Sequence, residues 1–188
     1  MLGLYSIWRL LPCIKLWIKE EFYQKLTFLL LNFSWFVIYI QTRTNAESLS
    51  SSFFILGLVY FILGRAKNKT FNYNAILSGA FLGLAYSFRY QLAVMVAFLW
   101  FWGLFIRKDS FKFLSIVALS IVAMIGLSVL IDFWGYGQWT FAPYNLYYGN
   151  FVRKILEKSG ESPWWYFISK SFLRGIPPVS IFYIVGVF

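Results

Sequence analysis

Apolar stretches long enough to approach the width of a lipid bilayer follow one another along nearly the whole chain. They lie at about 1–18, 26–40, 49–64, 75–88, 92–106, 112–131 and 176–188. A bilayer core is about 30 Å thick and takes about 20 helical residues to cross, so the shorter stretches need polar ends embedded in neighbouring protein or a locally thin bilayer. Because only helices and closed barrels satisfy their backbone groups in lipid, the pattern predicts an all-α, polytopic bundle of transmembrane helices.

Composition agrees with a membrane location. Apolar residues make up 60% of the 188 residues and charged residues 13%, against roughly 45–50% and 25% in a soluble domain. The net charge is +10, but the basic residues are scattered between apolar stretches, as expected of charges that flank membrane helices. The sequence therefore predicts membrane lipids as partners and no nucleic acid.

The residue types that are missing restrict the chemistry. The chain has no histidine and a single cysteine, Cys13, which excludes a disulfide framework within the chain and imidazole acid–base catalysis. Any catalysis has to use carboxylates, arginine, tyrosine or the backbone. The sequence does not call for a cofactor or a metal.

The charges also predict a topology and three regions. Basic connecting segments are expected to be cytoplasmic, and their charges are Lys15, Lys19, Lys25, Arg65, Lys67, Lys69, Arg107, Lys108 and Lys112. The intervening segments would then face the opposite side. We expect transmembrane helices with short loops over 1–131, an extracytoplasmic aromatic-rich segment over 132–175, and the start of a further transmembrane helix over 176–188.

Three polar positions between apolar stretches are candidates for function, each with a plainer alternative. Arg43 and Glu47 are four residues apart, can pair on one helical face, and leave Arg43 placed to bind an anion; the alternative is an ordinary loop salt bridge. Arg89 stands alone between two apolar stretches, where snorkelling would also explain it. Asp132 follows the most apolar stretch and could orient a sugar hydroxyl or an arginine; the alternative is that it only marks the membrane interface.

The segment over 132–175 is dense in tryptophan and tyrosine yet lacks a clean apolar stretch. Such rings suit the headgroup layer, so an aromatic belt is one interpretation. A binding site is the other, because connections of this length in compact proteins are usually functional or disordered.

The order of these motifs resembles a known family. Arg43-Thr44, Phe88-Arg89-Tyr90-Gln91, a segment from Asp132 to Asn145, and Ser162-Pro163-Trp164-Trp165-Tyr166-Phe167 follow one another. The succession is similar to the lipid-linked-sugar mannosyltransferases that build glycosylphosphatidylinositol (GPI) anchors and asparagine-linked glycans, and to their bacterial relatives. The resemblance runs from about Tyr5 to Pro178. Matching positions in its strongest part are Asp132, Tyr136, Gly137, Trp139, Pro143, Asn145, Pro163, Trp164 and Tyr166, with Ala142 where threonine is more usual.

The resemblance implies a glycosyltransferase C fold and a hexosyltransferase that moves mannose from a polyprenyl or dolichyl phosphate to a glycan or glycolipid acceptor. It implies a multi-pass protein of the bacterial inner membrane or of the endoplasmic reticulum membrane. The substrate-binding candidates are Arg43, Thr44, Glu47, Arg89, Asp132, Tyr136, Trp139, Tyr144, Asn145, Trp164 and Trp165. No residue is assigned as the catalytic base.

The chain departs from the family pattern in two ways. Asn45-Ala46 replaces the Leu-Ser-Asn that often follows Arg-Thr. The family also places its catalytic carboxylate in an acidic loop that would precede Met1, so we expect this chain to be an internal portion of the fold and inactive alone. Two other classes of protein stay open. One is a small transporter or flippase-like protein in which Arg43 and Arg89 contact a translocating anion. The other is a non-catalytic membrane protein.

Overall fold

The computed structural model describes residues 2–33, 45–64, 73–139, 141–152, 163, 165, 166 and 169. Every regular element within these ranges is helical, which confirms the all-α prediction. The α-helices are α1 Leu2–Arg9, α2 Leu11–Trp17, α3 Glu21–Phe33, α4 Ala46–Gly64, α5 Tyr73–Phe88, α6 Ala93–Phe101, α7 Phe111–Tyr136 and α8 Ala142–Tyr147. The predicted helix over 176–188 and the residues 34–40 of the second stretch lie outside the described residues.

The chain divides into two compact units, Met1–Thr140 and Phe141–Phe188. Among the described residues of the first unit, two helices are long and apolar enough to cross a membrane: α4 with 19 residues and α7 with 26. In the second unit, α8 continues as a π-helical turn over Tyr148–Val152. These findings agree with a membrane protein, and the full multi-pass topology stays a prediction.

Helices α4 and α5 form an antiparallel pair. Ser78 donates a hydrogen bond from its hydroxyl to the Gly57 carbonyl at 3.0 Å, and a side chain at Gly57 would lie 2.7 Å from Leu82. Phe53 stacks on Phe88 with ring centroids 5.6 Å apart. The start of α4 therefore lies beside the end of α5.

Helices α5 and α7 run parallel and pack at glycines. A Cβ atom at Gly79 would collide with the backbone carbonyl of Val117, and one at Gly83 would lie 2.7 Å from the Cβ atom of Met124 and 3.1 Å from the Ile121 carbonyl oxygen. Small residues let the two backbones approach closely, as is common between membrane helices. Phe61, Leu82, Leu114 and Val117 are fully buried in the core of this three-helix arrangement.

The first apolar stretch, 1–18, is not one continuous helix. It forms α1 and α2, separated at Leu10, with Pro12 in the first turn of α2. Proline lacks the N–H that would continue the hydrogen bonding of α1 and is well accommodated in a first turn. The stretch 1–18 therefore forms two short helices and not one continuous helix, and its crossing of the membrane stays a prediction.

Other boundaries also differ from the sequence prediction. The stretch 92–106 belongs to one helical run that begins two residues earlier: it starts with a 3-10 turn Tyr90–Leu92, continues as α6 and ends in a π-helical turn Trp102–Ile106. Helix α7 continues through Tyr136, five residues beyond the predicted end at Ile131. The beginning of the aromatic segment therefore belongs to a transmembrane-length helix and not to a loop.

Candidate functional site

An ion pair joins the start of α4 to the end of α5. The Arg89 guanidinium contacts the Glu47 carboxylate through Nη1, and its Nε donates to the Gln91 side-chain oxygen at 3.3 Å. Neither contact uses Nη2. The structure thus shows a contact between Glu47 and Arg89 that sequence reasoning did not predict, and the predicted pairing of Glu47 with Arg43 stays a prediction. Arg43 and Thr44 lie outside the described residues.

Local structure positions both members of this pair. Asn45 caps α4, because its side-chain oxygen accepts a hydrogen bond from the Ser48 amide at 2.9 Å, and Glu47 therefore lies in the first helical turn. Arg89 has an extended backbone with φ −153° between α5 and the following 3-10 turn. Its side chain can therefore leave the helix axis and reach across to α4.

Helix α7 extends past this ion pair. Gly79 lies against Val117 and Gly83 against Ile121, and continuing that pairing by five residues brings Phe88 level with Gly126. Asp132 then lies about 9 Å further along the axis and Tyr136 about 15 Å further, at 1.5 Å per residue. The end of α7 thus projects from the same end of the helix group that carries Glu47 and Arg89.

The projecting end of α7 is aromatic and folds back on itself. Gly137 ends the helix with φ 68°, and its amide donates to the Phe133 carbonyl at 2.9 Å. This left-handed cap favours glycine and reverses the chain, so that Trp139 stacks on Phe133 with centroids 4.4 Å apart. Trp139 and Tyr136 remain 69% and 72% exposed.

This geometry gives a local reason for the motif Tyr-Gly-x-Trp. The glycine, Gly137, ends α7 with a left-handed cap. The tryptophan, Trp139, then packs back against Phe133 in the last turn of the same helix. Sequence reasoning missed Phe133, the partner of Trp139, and Gln91, the second partner of Arg89. The sequence did contain a signal for this contact: Phe133 and Trp139 are six residues apart, with Gly137 between them.

The second unit holds the remaining described candidates. Tyr144 stacks on Tyr148 with centroids 6.3 Å apart, and Asn145 lies in the same short helix. Trp165 is about half exposed, and its carbonyl accepts the Ser169 amide at 2.9 Å. Trp164 lies outside the described residues. Roles for all these residues in substrate binding stay predictions.

The opposite end of α4 carries a different and more buried ion pair. Arg107 donates from Nε to Asp109 at 2.6 Å and from Nη2 to the Phe61 carbonyl at 3.0 Å. Its guanidinium also lies over the Phe61 ring, 4.4 Å from the centroid. The side chains are only 9% and 2% exposed, so Arg107 anchors the loop between α6 and α7 and is not available to substrate.

Within the described ranges, no three residues of the types histidine, cysteine, aspartate and glutamate come together as a metal site would require. The expectation that no metal is used stays a prediction.

Comparison with known proteins decides the family. The model of the Alg9-like mannosyltransferase family matches residues 2–188. The chain belongs to this family. Membership confirms the resemblance inferred from the order of the polar and aromatic motifs. No solved structure matches the chain significantly.

Relatives from a plant, a mammal and a fungus agree with the family. The chain is 25% identical over 155 residues to mannosyltransferase APTG1 of Arabidopsis thaliana, and 26% identical over 160 residues to GPI alpha-1,2-mannosyltransferase 3 of Bos taurus. Each alignment covers 82% of the chain and 28% of the relative. GPI mannosyltransferase 3 of Aspergillus fumigatus is 32% identical over 66 residues, which cover 35% of the chain and 9% of that relative. The chain thus spans about a quarter of the length of the first two.

Proposed function

We propose that this protein is a multi-pass membrane mannosyltransferase of glycosyltransferase C type. It would transfer mannose from a polyprenyl or dolichyl phosphate to a glycan or glycolipid acceptor, in the endoplasmic reticulum membrane or the bacterial inner membrane. Family membership and the names of the relatives support the mannose and the acceptor class. The donor lipid is inferred from the chemistry of the Arg89 end.

The observation that carries the proposal is the position of the Arg89 guanidinium. A guanidinium has a planar fork of donors that matches phosphate oxygens, and it stays charged at every working pH. Arg89 is oriented by Glu47 and Gln91, and Nη2 is free of both contacts. The residue is therefore a donor already directed at one end of an apolar helix group, where a lipid-linked phosphate would emerge.

The reaction creates negative charge where Arg89 would act. The bond between the anomeric carbon of mannose and the phosphate oxygen breaks, and its electron pair remains on the lipid phosphate. The acceptor oxygen forms the new bond to that carbon and loses its proton to a general base. Arg89 would stabilise the charge on the departing phosphate, as preorganised donors do in other group transfers.

The end of α7 would serve the sugars. Aromatic faces pack against the apolar faces of sugar rings, and carboxylates accept hydrogen bonds from hydroxyl groups. Trp139 and Tyr136 present exposed rings, and Asp132 is half-buried one turn below. In the proposed enzyme Asp132 accepts hydrogen bonds from acceptor hydroxyls or stabilises the end of α7. No residue is assigned as the general base.

Donor binding tests this proposal directly. The purified protein in detergent would be titrated with a polyprenyl phosphate mannose, with tryptophan fluorescence as the readout. We expect Arg89→Gln to weaken binding about tenfold or more, since a hydrogen bond to a charged group contributes about 1.5–3 kcal/mol. Arg89→Lys keeps the positive charge but loses the forked guanidinium, so its affinity for the donor should lie between those of Arg89→Gln and the unchanged protein.

Lys112→Gln is the matched control, because it removes one exposed positive charge from the opposite end of the helix group. Equal losses for Arg89→Gln and Lys112→Gln would contradict the proposal and indicate nonspecific charge attraction. Unchanged donor binding in Arg89→Gln would contradict it as well. Mannose transfer in membranes that contain each variant would then show whether binding and turnover fall together.

A further inference from the structure

A cleft of about 280 Å³ lies between α2 and α3, away from the Glu47–Arg89 pair. Its floor is apolar and its rim is charged. The floor is formed by Leu11, Ile14 and Phe28, and the rim by Lys15, Glu21 and Lys25. An apolar floor under a charged rim is the pattern expected of a site for an amphiphile, and the family assignment does not account for it.

The charges on the rim are unbalanced. Glu21 forms an ion pair with Lys25, with 2.8 Å between Oε1 and Nζ. The hydrogen bond and the charge of Lys25 lower the pKa of Glu21, and the charge of Lys15 lowers it further. Two lysines, Lys15 and Lys25, thus line the cleft together with this one carboxylate, and Lys19 is close in sequence. The Lys25 and Glu21 side chains are 75% and 79% exposed, and such exposed pairs are weak. An external anion can therefore replace the Glu21 carboxylate at little cost.

The cleft is built by specific contacts at the turn between the two helices. Gln24 donates from its side-chain amide to the Ile18 carbonyl at 2.7 Å, which ties α3 to the end of α2. Ile14 is buried, while Leu11 and Phe28 are partly buried. The floor is therefore fixed by packing, whereas the rim side chains remain free to rearrange around a ligand.

The position of the cleft indicates which surface it faces. Cys13 of α2 lies against the Val59 carbonyl, with a sulfur–oxygen distance of 3.9 Å, and Val59 is in the half of α4 remote from Glu47. The Arg107 contact with Phe61 lies in that same half. The positive-inside rule predicts that this basic end is cytoplasmic. Exposed Trp17, Phe22 and Tyr23 beside the cleft suit the headgroup layer.

We propose that the α2–α3 cleft binds an anionic phospholipid of the cytoplasmic leaflet. The lipid phosphate takes the place of the Glu21 carboxylate between Lys15 and Lys25, and the upper part of an acyl chain covers Leu11, Ile14 and Phe28. Anionic lipids are enriched in that leaflet and attract lysines near its surface. The apolar floor distinguishes such a lipid from a soluble phosphate, which would gain nothing from Phe28.

Native mass spectrometry of the detergent-solubilised full chain tests the site, with phosphatidylglycerol, phosphatidylcholine and inorganic phosphate as separate probes. We expect phosphatidylglycerol to bind more tightly than phosphatidylcholine. Lys15→Gln and Lys25→Gln should each weaken the binding of phosphatidylglycerol about fivefold, which is the contribution expected of one lysine at a membrane surface. Glu21→Gln should strengthen it, because the competing carboxylate is gone.

Two control variants keep the test specific. Lys112→Gln removes the same charge at the same end of the helix group, and Arg89→Gln alters the proposed donor site; neither should change phosphatidylglycerol binding. Equal affinity for the two lipids, an equal loss in Lys112→Gln, weaker binding in Glu21→Gln, or displacement of the lipid by an equal concentration of inorganic phosphate would each overturn the proposal. Because Arg89→Gln reports on the donor site alone, the two proposals can fail separately.

Discussion

Arg89 holds Glu47 across the ends of two helices while both side chains stay open to solvent, 38% and 54% exposed. Exposed ion pairs contribute only about 0.2–1 kcal/mol to folding. We therefore expect Glu47→Gln and Arg89→Gln each to lower the free energy of unfolding by less than about 1 kcal/mol. Denaturant unfolding in detergent, followed by circular dichroism, measures this change. A much larger loss would mean that the pair is structural and would remove the reason to assign Arg89 to substrate.

The Arg107–Asp109 pair should behave in the opposite way. Both side chains are buried, and removing one member leaves the other charge buried without its main partner. We expect Arg107→Leu or Asp109→Leu to cost about 3–5 kcal/mol. The double variant should cost less than the two single losses added together, since residues in contact are coupled. A double-mutant cycle on unfolding free energies checks this, and strict additivity would contradict the described contact.

Close packing at Gly79 makes a specific prediction for the α5–α7 contact. An added methyl group would collide with the Val117 carbonyl, which is backbone and cannot turn aside. We expect Gly79→Ala to destabilise the protein by about 1–3 kcal/mol. Gly126→Ala is the matched control, because nothing lies within 4 Å of that position, and it should be neutral or stabilising. Equal effects of the two substitutions on thermal unfolding would argue against the packing of these helices.

The cap at Gly137 can be tested against its neighbour Gly135. Both positions have open space around them, but Gly137 alone has a left-handed backbone, with φ 68°. Gly137→Ala should therefore lower the free energy of unfolding by about 1–2 kcal/mol. Gly135→Ala should raise it by up to about 1 kcal/mol, because alanine has the higher helix propensity. Unfolding free energies of the two variants decide the matter. A gain at both positions would show that α7 does not end at this cap.

The sequence predicts the central helices well and their ends less well. Apolar stretches locate α4, α5 and α7 because burial in lipid or protein requires apolar side chains over most of each helix. Helix ends depend on backbone capping instead. Asn45 begins α4 before its apolar stretch starts, and Gly137 ends α7 after its stretch has finished. Pro12, which is visible in the sequence, accounts for the division of the stretch 1–18.

The candidate site shows the limit of local reasoning. A spacing of four residues suggested Arg43 as a partner for Glu47, and that pair stays a prediction. The contact of Glu47 with Arg89 could not be predicted locally, because only the antiparallel packing of α4 and α5 brings the two residues together. Arg107 was interpreted only as a topology charge. Its role depends on the π-helical turn Trp102–Ile106, in which the Arg107 amide donates to the Trp102 carbonyl at 2.9 Å, and apolar periodicity does not predict such a turn. Motif order identified the family correctly because it does not depend on these contacts.

The length of α7 links the proposed chemistry to the membrane around it. From Lys112 to Asp132 the helix rises about 30 Å, which equals the thickness of a typical hydrocarbon layer. Trp134 and Tyr136 then emerge just beyond it. In a bilayer with longer acyl chains the same rigid rod would leave these rings submerged, or the lipid would have to thin around them. For the mannosyltransferase proposed above, the hydrophobic thickness of the bilayer would then determine how deep an acceptor sugar must reach to contact these rings.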